Sequence, residues 1–458
     1  MSNRREFLRA CAGVSATAMA ASMSRLGIID AFAHDHADWH KGGYDVATDY
    51  RAMVCIFLEG GNDSWNTIVN ISDYNSYAAI RQGLAVAQNQ LLGGMVPPSD
   101  GRTFGLHPAL AAIRPFWDSG KLAVVANVGS LFTPLDRTTY LARPDLRPPS
   151  LFSHSDQVAQ WNTSCASPAL LTGWGGRVGD RTIHLNGDIP FPMMVSISGA
   201  TLFGTGVVVR PLEVTSGGTV GLQGFNTSAI SQTRYNAMKQ LLSTDNNVTF
   251  AKTTGNTTGR AIETNELLSA ALTTIPPPAT VFPNTGLGNQ LRMVARIINA
   301  RQLLNIHREI FFVRIGGFDT HSGQITNQPN LLTQVAQAMA AFYNATVEMG
   351  IPESVVQFTA SDFSRTLRFN GGGTDHAWGS CQFVLGGAVR GREMYGDWPT
   401  FALGGPDDSG NQGRFIPTTA VDQYTATLAQ WYGLAPGDVN AVFPNINRFN
   451  SNNLGFLA

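Results

Sequence analysis

Met53-Val54-Cys55-Ile56-Phe57-Leu58 is a continuous apolar run of strand length that ends at Gly60-Gly61-Asn62-Asp63. A strand apolar on both faces has no solvated side, which is the pattern of a parallel sheet covered by helices on both faces. The design recurs twice. Ile310-Phe311-Phe312-Val313-Arg314-Ile315 runs into Gly316-Gly317-Phe318-Asp319-Thr320-His321, and Val355-Val356-Gln357-Phe358-Thr359 leads to Ser361-Asp362-Phe363-Ser364-Arg365. Between them Leu287, Leu291, Val294 and Ile298 keep a helical period, as do Leu331, Val335, Ala338, Met339 and Phe342 before Gly350 and Pro352 stop it. Leu122-Ala123-Val124-Val125 adds a short strand, and Thr419 to Tyr432 reads as a late helix. The order predicts an α/β protein with a mostly parallel sheet and helices on both faces.

Outward from these strands, the chain divides into an export signal at 1–33, an N-terminal segment at 34–50, and one domain over 51–458. The signal rests on paired Arg4 and Arg5 followed by Glu6-Phe7-Leu8, a mild Ala-rich stretch from Ala10 to Met23, and Ala31-Phe32-Ala33 as cleavage residues. This is the twin-arginine pattern, so the translocation machinery that carries folded proteins is the expected partner. Such export often serves proteins that load a metal or cofactor first. No later apolar run reaches the ~20 residues that span a bilayer, so a periplasmic or secreted protein is expected. His34-Asp35-His36-Ala37-Asp38-Trp39-His40 alternates imidazole with carboxylate, but a new N-terminus ahead of the first strand reads as a solvated tail. From about 199 to 286 the composition turns to Thr, Ser, Asn and Gly and closes in Ile275-Pro276-Pro277-Pro278. That stretch predicts a loop-rich insertion: a β excursion over 200–220, a short helix over 228–242, and a linker with little structure of its own.

Across the 458 residues only 14% are charged, well below the roughly 25% of an average protein, while 43% are hydrophobic, which excludes charge-driven disorder. With 31 basic and 32 acidic residues there is no basic surplus to displace counterions, which argues against nucleic acid as a partner. Of four cysteines, Cys11 leaves with the signal, and Cys55, Cys165 and Cys381 remain without any C-x-x-C spacing; the odd count argues against a full disulfide framework and allows at most one bridge within the chain.

Three strands ending in a carboxylate form the informative pattern, because ligands of open α/β sheets bind beyond the carboxyl ends of the strands. Asp63, Asp319 and Asp362 share one edge on this reading. His321 lies two residues after Asp319, and Asp375-His376 closes the loop Gly371-Gly372-Gly373-Thr374. Carboxylates crowded into one cleft repel unless neutralised, and a divalent cation does this while accepting neutral imidazole as ligand. Asp63, Asp319, His321, Asp362, Asp375 and His376 are therefore candidate metal ligands. Asp63 and Asp362 can equally be helix caps, and Asp375 a turn former. Arg365 can clamp an anionic oxygen or neutralise Asp362. His107, before Pro108, and His184 read as structural.

At this point the motifs resemble a known family. Phe57-Leu58-Glu59-Gly60-Gly61-Asn62-Asp63-Ser64-Trp65-Asn66-Thr67, Leu106-His107-Pro108, Thr172-Gly173-Trp174-Gly175-Gly176-Arg177, Gly317-Phe318-Asp319-Thr320-His321, Asp362-Phe363-Ser364-Arg365-Thr366 and Thr374-Asp375-His376 are similar to the domain of unknown function 1501 proteins. Tyr395-Gly396-Asp397-Trp398-Pro399 and Pro417-Thr418-Thr419-Ala420-Val421-Asp422-Gln423 continue the likeness. The chain departs from the family at Glu59, often Arg there, and at Asp362, often Glu. The resemblance implies an alkaline phosphatase-like fold and two divalent metals (Zn, Mn, Mg or Ca). It implies hydrolysis of a phosphate or sulfate ester, small or on a polysaccharide. It also implies a nucleophile at a helix N-terminus, for which Ser153 is the candidate and Ser155 the second, with Arg365 steadying the transferred group. Two other expectations stand beside it: a non-catalytic binding or envelope-assembly factor, and a lyase or deacetylase of a sugar polymer.

Overall fold

The apolar run forms the body of β1 (Arg51–Leu58), and its side chains alternate between two cores. Val54, Ile56 and Leu58 enter one, Met53, Cys55 and Phe57 the other. Neither face meets water, and each fully buried aliphatic or aromatic side chain stabilises by about 1.5–3 kcal/mol. The computed structural model describes residues 46–166, 170–189, 191–218, 225–244 and 249–458. The expected signal of residues 1–33, including Cys11, and the His34–His40 segment lie outside the described residues.

Eleven further strands follow: β2 Ile68–Asn70, β3 Leu92–Met95, β4 Phe104–Leu106, β5 Leu122–Gly129, β6 Met194–Ser196, β7 Leu212–Glu213, β8 Arg308–Ile315, β9 Val355–Ser361, β10 Ser380–Gly386, β11 Met394–Tyr395 and β12 Thr419–Ala420. The central sheet runs β11-β5-β10-β9-β1-β8-β6-β7, with β12 also against β5, while β2, β4 and β3 make a small antiparallel sheet. β10 is antiparallel to both neighbours, and the other pairings in the central sheet are parallel. The fold is α/β with a mostly parallel sheet, as the strand pattern predicts. The three expected strands lie side by side as β9, β1 and β8. Leu58 is level with both Ile315 and Ser361, so the loops carrying Asp63, Asp319 and Asp362 leave one edge together.

Helices of eight residues or more among the described residues are α1 Tyr74–Arg81, α2 His154–Thr163, α3 Trp174–Thr182, α4 Ala229–Leu242, α5 Thr249–Thr274, α6 Gly286–Asn299, α7 Gln324–Glu348 and α8 Val421–Tyr432. The predicted apolar stripes of α6 and α7 pack with Val54 and Ile56, and α8 covers the opposite face with Tyr424, Leu428 and Tyr432. No helix of the described residues is long and apolar enough to cross a membrane. Cys55, Cys165 and Cys381 are buried free thiols.

The insertion differs from its expectation. Among the described residues the β excursion comes to the two residues of β7, paired to β6, and a Thr215–Gly218 bridge, and the stretch expected to lack structure is helical from Thr249 to Thr274. Ile262, Leu268 and Ala271 are buried along α5 and give it a face to pack, a stripe diluted in sequence by Thr and Asn.

At the edge of the sheet opposite Asp319, Glu309 is fully buried and accepts a 2.5 Å bond from the Tyr50 hydroxyl. Burial pushes its carboxyl up to about 7. The fold therefore holds a proton that the unfolded chain releases near pH ~4.5, and stability falls as pH rises from there through 7. Glu309→Gln keeps an acceptor for Tyr50 and removes the charge. Urea unfolding at pH 5, 6.5 and 8 should show the variant gaining on the order of 2 kcal/mol over wild type at pH 8. Equal gains or losses at all three pH values would contradict this assignment.

Candidate metal centre

The loop after β1 turns at Gly60, whose φ is +111°, and runs against the loop after β8 so closely that a β-carbon on Gly60 would sit 2.5 Å from the Asp319 nitrogen. Only glycine accepts both the angle and the approach. The Gly60 N–H donates to Asp362 Oδ1 (3.1 Å) and its carbonyl accepts from Arg365 Nη1 (3.1 Å), which ties three loops at one point. The loop after β9 then runs on through Asp375 and His376 into β10. Being antiparallel, β10 begins at the edge where its neighbours end, and the bridge between Arg365 and His376 brings the Gly-rich loop back over Asp362.

His154, Asp319 and His376 converge there, with one ligand atom from each lying within 4.8 Å of the others. His154 Nε2 is 3.5 Å from Asp319 Oδ1, and His376 Nε2 is 3.3 Å from the same oxygen. His321 joins them, its Nε2 3.1 Å from Asp319 Oδ1 and 2.9 Å from His376 Nε2. The 3.5 and 3.3 Å separations of His154 and His376 from Asp319 Oδ1 are close to the roughly 3.3 Å edge of a tetrahedron with bonds of about 2.05 Å.

Each ring is fixed from behind. His376 Nδ1 lies 2.7 Å from the Phe152 carbonyl, which can only accept, so the proton is on Nδ1 and the neutral ring turns a lone pair inward at Nε2. His154 Nδ1 is 2.7 Å from Asp362 Oδ2, and His321 Nδ1 is 3.1 Å from Asp375 Oδ1. Buried His154 Nε2 has no hydrogen-bond partner. Lone pairs and a carboxylate oxygen aimed at one another repel unless a cation or proton lies among them. Imidazoles held by carboxylate or carbonyl acceptors are the usual arrangement around a metal, so the residues present fit a metal ion. Two imidazoles and one carboxylate suit transition ions such as Zn better than Mg or Ca, which prefer all-oxygen sites.

The electrostatics agree. The Asp362 hydrogen bond raises the His154 pKa above its ordinary value, whereas burial lowers that of His376 and favours the neutral ring. Burial pushes Asp319 up, but the Arg365 hydrogen bond and charge outweigh it, and its carboxyl stays below the usual range. Asp375 is likewise lowered, since hydrogen bonds from Asn370 and His321 outweigh its burial.

The sequence-predicted residues separate into three groups. Asp319, His321 and His376 meet at the centre. Asp362 and Asp375 stand behind His154 and His321 as hydrogen-bond acceptors, so their carboxylates orient imidazoles instead of facing the centre. Asp63 is elsewhere: it is fully buried, paired with Arg81 Nη1 and Nη2 at 2.7 and 2.6 Å, and caps the one-turn helix Ser64–Thr67 through Trp65 N–H. Arg365 is buried with no exposure and donates to Asp319 Oδ1 (2.7 Å), the Gly60 carbonyl and the Thr374 carbonyl. It is committed to Asp319 and backbone and has no free face for a transferred group. Ser153 Oγ donates to Asp156 Oδ2 at 2.6 Å and is 3.2 Å from Ser155 Oγ, so both serines cluster around that carboxylate. His107 accepts the Ala109 N–H at Nδ1, and burial lowers its pKa to about 4, a structural histidine.

The residue that sequence reasoning missed is His154. It stood in view beside Ser153, and its signal was an imidazole opening a helix, which places the ring at the helix end that faces the sheet edge.

Fold and site together define an α/β protein with a histidine–carboxylate candidate metal centre at the carboxyl edge of its sheet. Residues 223–418 match the model of the family described as Protein of unknown function (DUF1501), a stretch that holds Asp319, His321, Asp362, Arg365, Asp375 and His376. No curated protein matches the chain. Among solved structures it is similar to a mutant of the alkaline phosphatase PafA at 9% identity, over 70% of this chain and 64% of that one, with a TM-score of 0.29. The PsFucS1 sulfatase from Pseudoalteromonas sp. matches at 8% identity over 94% and 74%, with a TM-score of 0.30. Ps i-CgsB in complex with k-i-k-neocarrahexaose matches at 9% over 85% and 73%, with a TM-score of 0.32. The chain spans less than two thirds of the PafA structure, and likenesses this distant do not bear on its chemistry.

Proposed function

We propose that this chain is an exported, metal-dependent hydrolase of phosphate or sulfate esters, with the metal held by His154, Asp319 and His376. The observation that carries the reading is the inward convergence of imidazole Nε2 atoms on the Asp319 carboxylate, each Nδ1 being tied to an acceptor behind it. Three protein ligands and an open position are the hallmark of a catalytic ion. When bound, such an ion acts as a Lewis acid and lowers the pKa of a coordinated water.

The chain's own groups do the rest. Asp362 and the Phe152 carbonyl fix the two ligand rings, and Arg365 holds Asp319 as a carboxylate. His321, steadied by Asp375 and half exposed, takes the proton of the attacking water at Nε2 and returns it to the leaving ester oxygen. The water oxygen bonds to phosphorus or sulfur as the ester P–O or S–O bond breaks. Ser153, engaged with Asp156, is not needed as nucleophile. One ion satisfies this donor set. A second ion, implied by the family resemblance, would have called on Asp63 and Asp362, whose oxygens are occupied by Arg81 and His154. Export through the twin-arginine machinery belongs to the same reading.

The test is elemental analysis of the purified protein beside a screen of p-nitrophenyl phosphate and sulfate. His321→Gln should keep the metal and lose about 10²- to 10⁴-fold in kcat. Full turnover in that variant would remove His321 from the proton path. A metal-bearing wild type without turnover on any ester would make the chain a binding protein instead.

A further inference from the structure

We propose that Arg414 is the oxyanion-binding side chain of this centre, the group that recognises the phosphate or sulfate of the ester. The inference rests on the hydrolase reading above and names how that site selects its substrate. Arg414 Nε donates to the carbonyl of His376 at 2.9 Å, and the guanidinium lies over the Phe152 ring, 4.8 Å from its centroid. Phe152 in turn accepts His376 Nδ1 through its carbonyl. The cation is therefore anchored to the two residues that also set the metal-facing imidazole. Phe152 has a φ of +70°, a left-handed conformation rare for a bulky residue, which directs ring and carbonyl to these separate tasks.

The loop beneath Arg414 is tied together by one buried carboxylate. Asp408 is fully buried and accepts the backbone N–H groups of Gly404, Gly410, Gly413 and Arg414 at 2.8–3.0 Å. Its carboxylate is spent on amides and leaves the guanidinium alone. Among the described residues neither Nη of Arg414 meets an acceptor, and Arg414 enters no ion pair. Arg365, the other guanidinium at the centre, is fully buried and both of its Nη atoms are engaged.

Charge balance gives Arg414 its role. Asp319, Asp362 and Asp375 carry three negative charges, which Arg365 and one divalent ion neutralise. An arriving phosphate or sulfate group adds charge that needs a cation of its own, and a planar guanidinium with two free Nη groups matches two of its oxygens.

The experiment titrates inorganic phosphate and inorganic sulfate into metal-loaded wild type, Arg414→Met and Arg414→Lys by calorimetry, with metal content and Tm recorded for each. The same proteins are assayed on p-nitrophenyl phosphate, p-nitrophenyl sulfate and neutral p-nitrophenyl acetate. Wild type should bind at least one anion. Arg414→Met should weaken that binding by on the order of 10- to 100-fold with metal and Tm retained. Arg414→Lys should fall between, and KM should rise for the anionic ester alone. Equal anion affinity in wild type and Arg414→Met overturns the proposal, as does a wild type that binds neither anion. Failure of the hydrolase reading appears separately, as absent turnover in all three proteins, and leaves the affinity comparison to decide on Arg414.

Discussion

On the hydrolase reading proposed above, replacing His376 with alanine should abolish metal binding and lower ester turnover by at least about 10³-fold, because the ring is a shared neighbour of every other group at the centre. Its Nε2 lies 2.9 Å from His321 Nε2 and 3.3 Å from Asp319 Oδ1, so its loss leaves His154 and Asp319 as an incomplete ligand pair. Asp362→Asn and Asp375→Asn should do less, about 10- to 100-fold in metal affinity or activity, since each acts through the histidine it orients. Elemental analysis of the three variants, with circular dichroism to confirm folding, checks the order. A His376→Ala protein that keeps stoichiometric metal would sink the assignment of the centre.

Asp63→Ala should destabilise the fold by about 3–5 kcal/mol while the folded protein keeps its metal. Both partners of the Asp63–Arg81 pair are fully buried, and Asp63 Oδ2 also accepts Gln324 Nε2 at 2.5 Å. Removing the carboxylate leaves Arg81 charged in the interior without its counterion. The pair reaches the centre indirectly: Gln324 Oε1 accepts the Thr374 hydroxyl at 2.6 Å, just ahead of Asp375 and His376. Denaturant unfolding together with metal content separates the two roles. A carboxylate that ligated metal would lose the ion with little loss of stability, and Asp63→Ala should do the opposite. Unchanged stability in Asp63→Ala would contradict the buried-pair assignment.

These two residues show where the site was legible in sequence and where it was not. An Asp just past a buried strand has the same local pattern whether it faces a metal, caps a helix or meets an arginine. For Asp63 the decision came from Arg81, at the end of α1, which folding carries beneath the loop. For Asp319 and His321 two candidate groups in one short turn marked the edge at which the structure gathers them with His154 and His376. His154 was passed over because a single histidine after a serine carries no spacing signal, and its role arises from where α2 begins relative to the sheet. Arg365 followed the same logic: the chain places a guanidinium beside carboxylates, and only packing shows it spent on Asp319 and two carbonyls.

Local patterns therefore determined the architecture by themselves. Apolar runs solvated on neither face require a covered parallel sheet, and periods of three and four require amphipathic helices on its faces, since burial of those stripes drives both. Glycines and carboxylates after the strands also located the functional edge. What tertiary structure decided was which polar groups meet there. The antiparallel entry of β10 delivers His376, the start of α2 delivers His154, and buried partners withdraw Asp63 and Arg365. Partnering is set by contacts between residues far apart in the chain, and a polar side chain's chemistry depends on its nearest charges and hydrogen bonds more than on its neighbours in sequence.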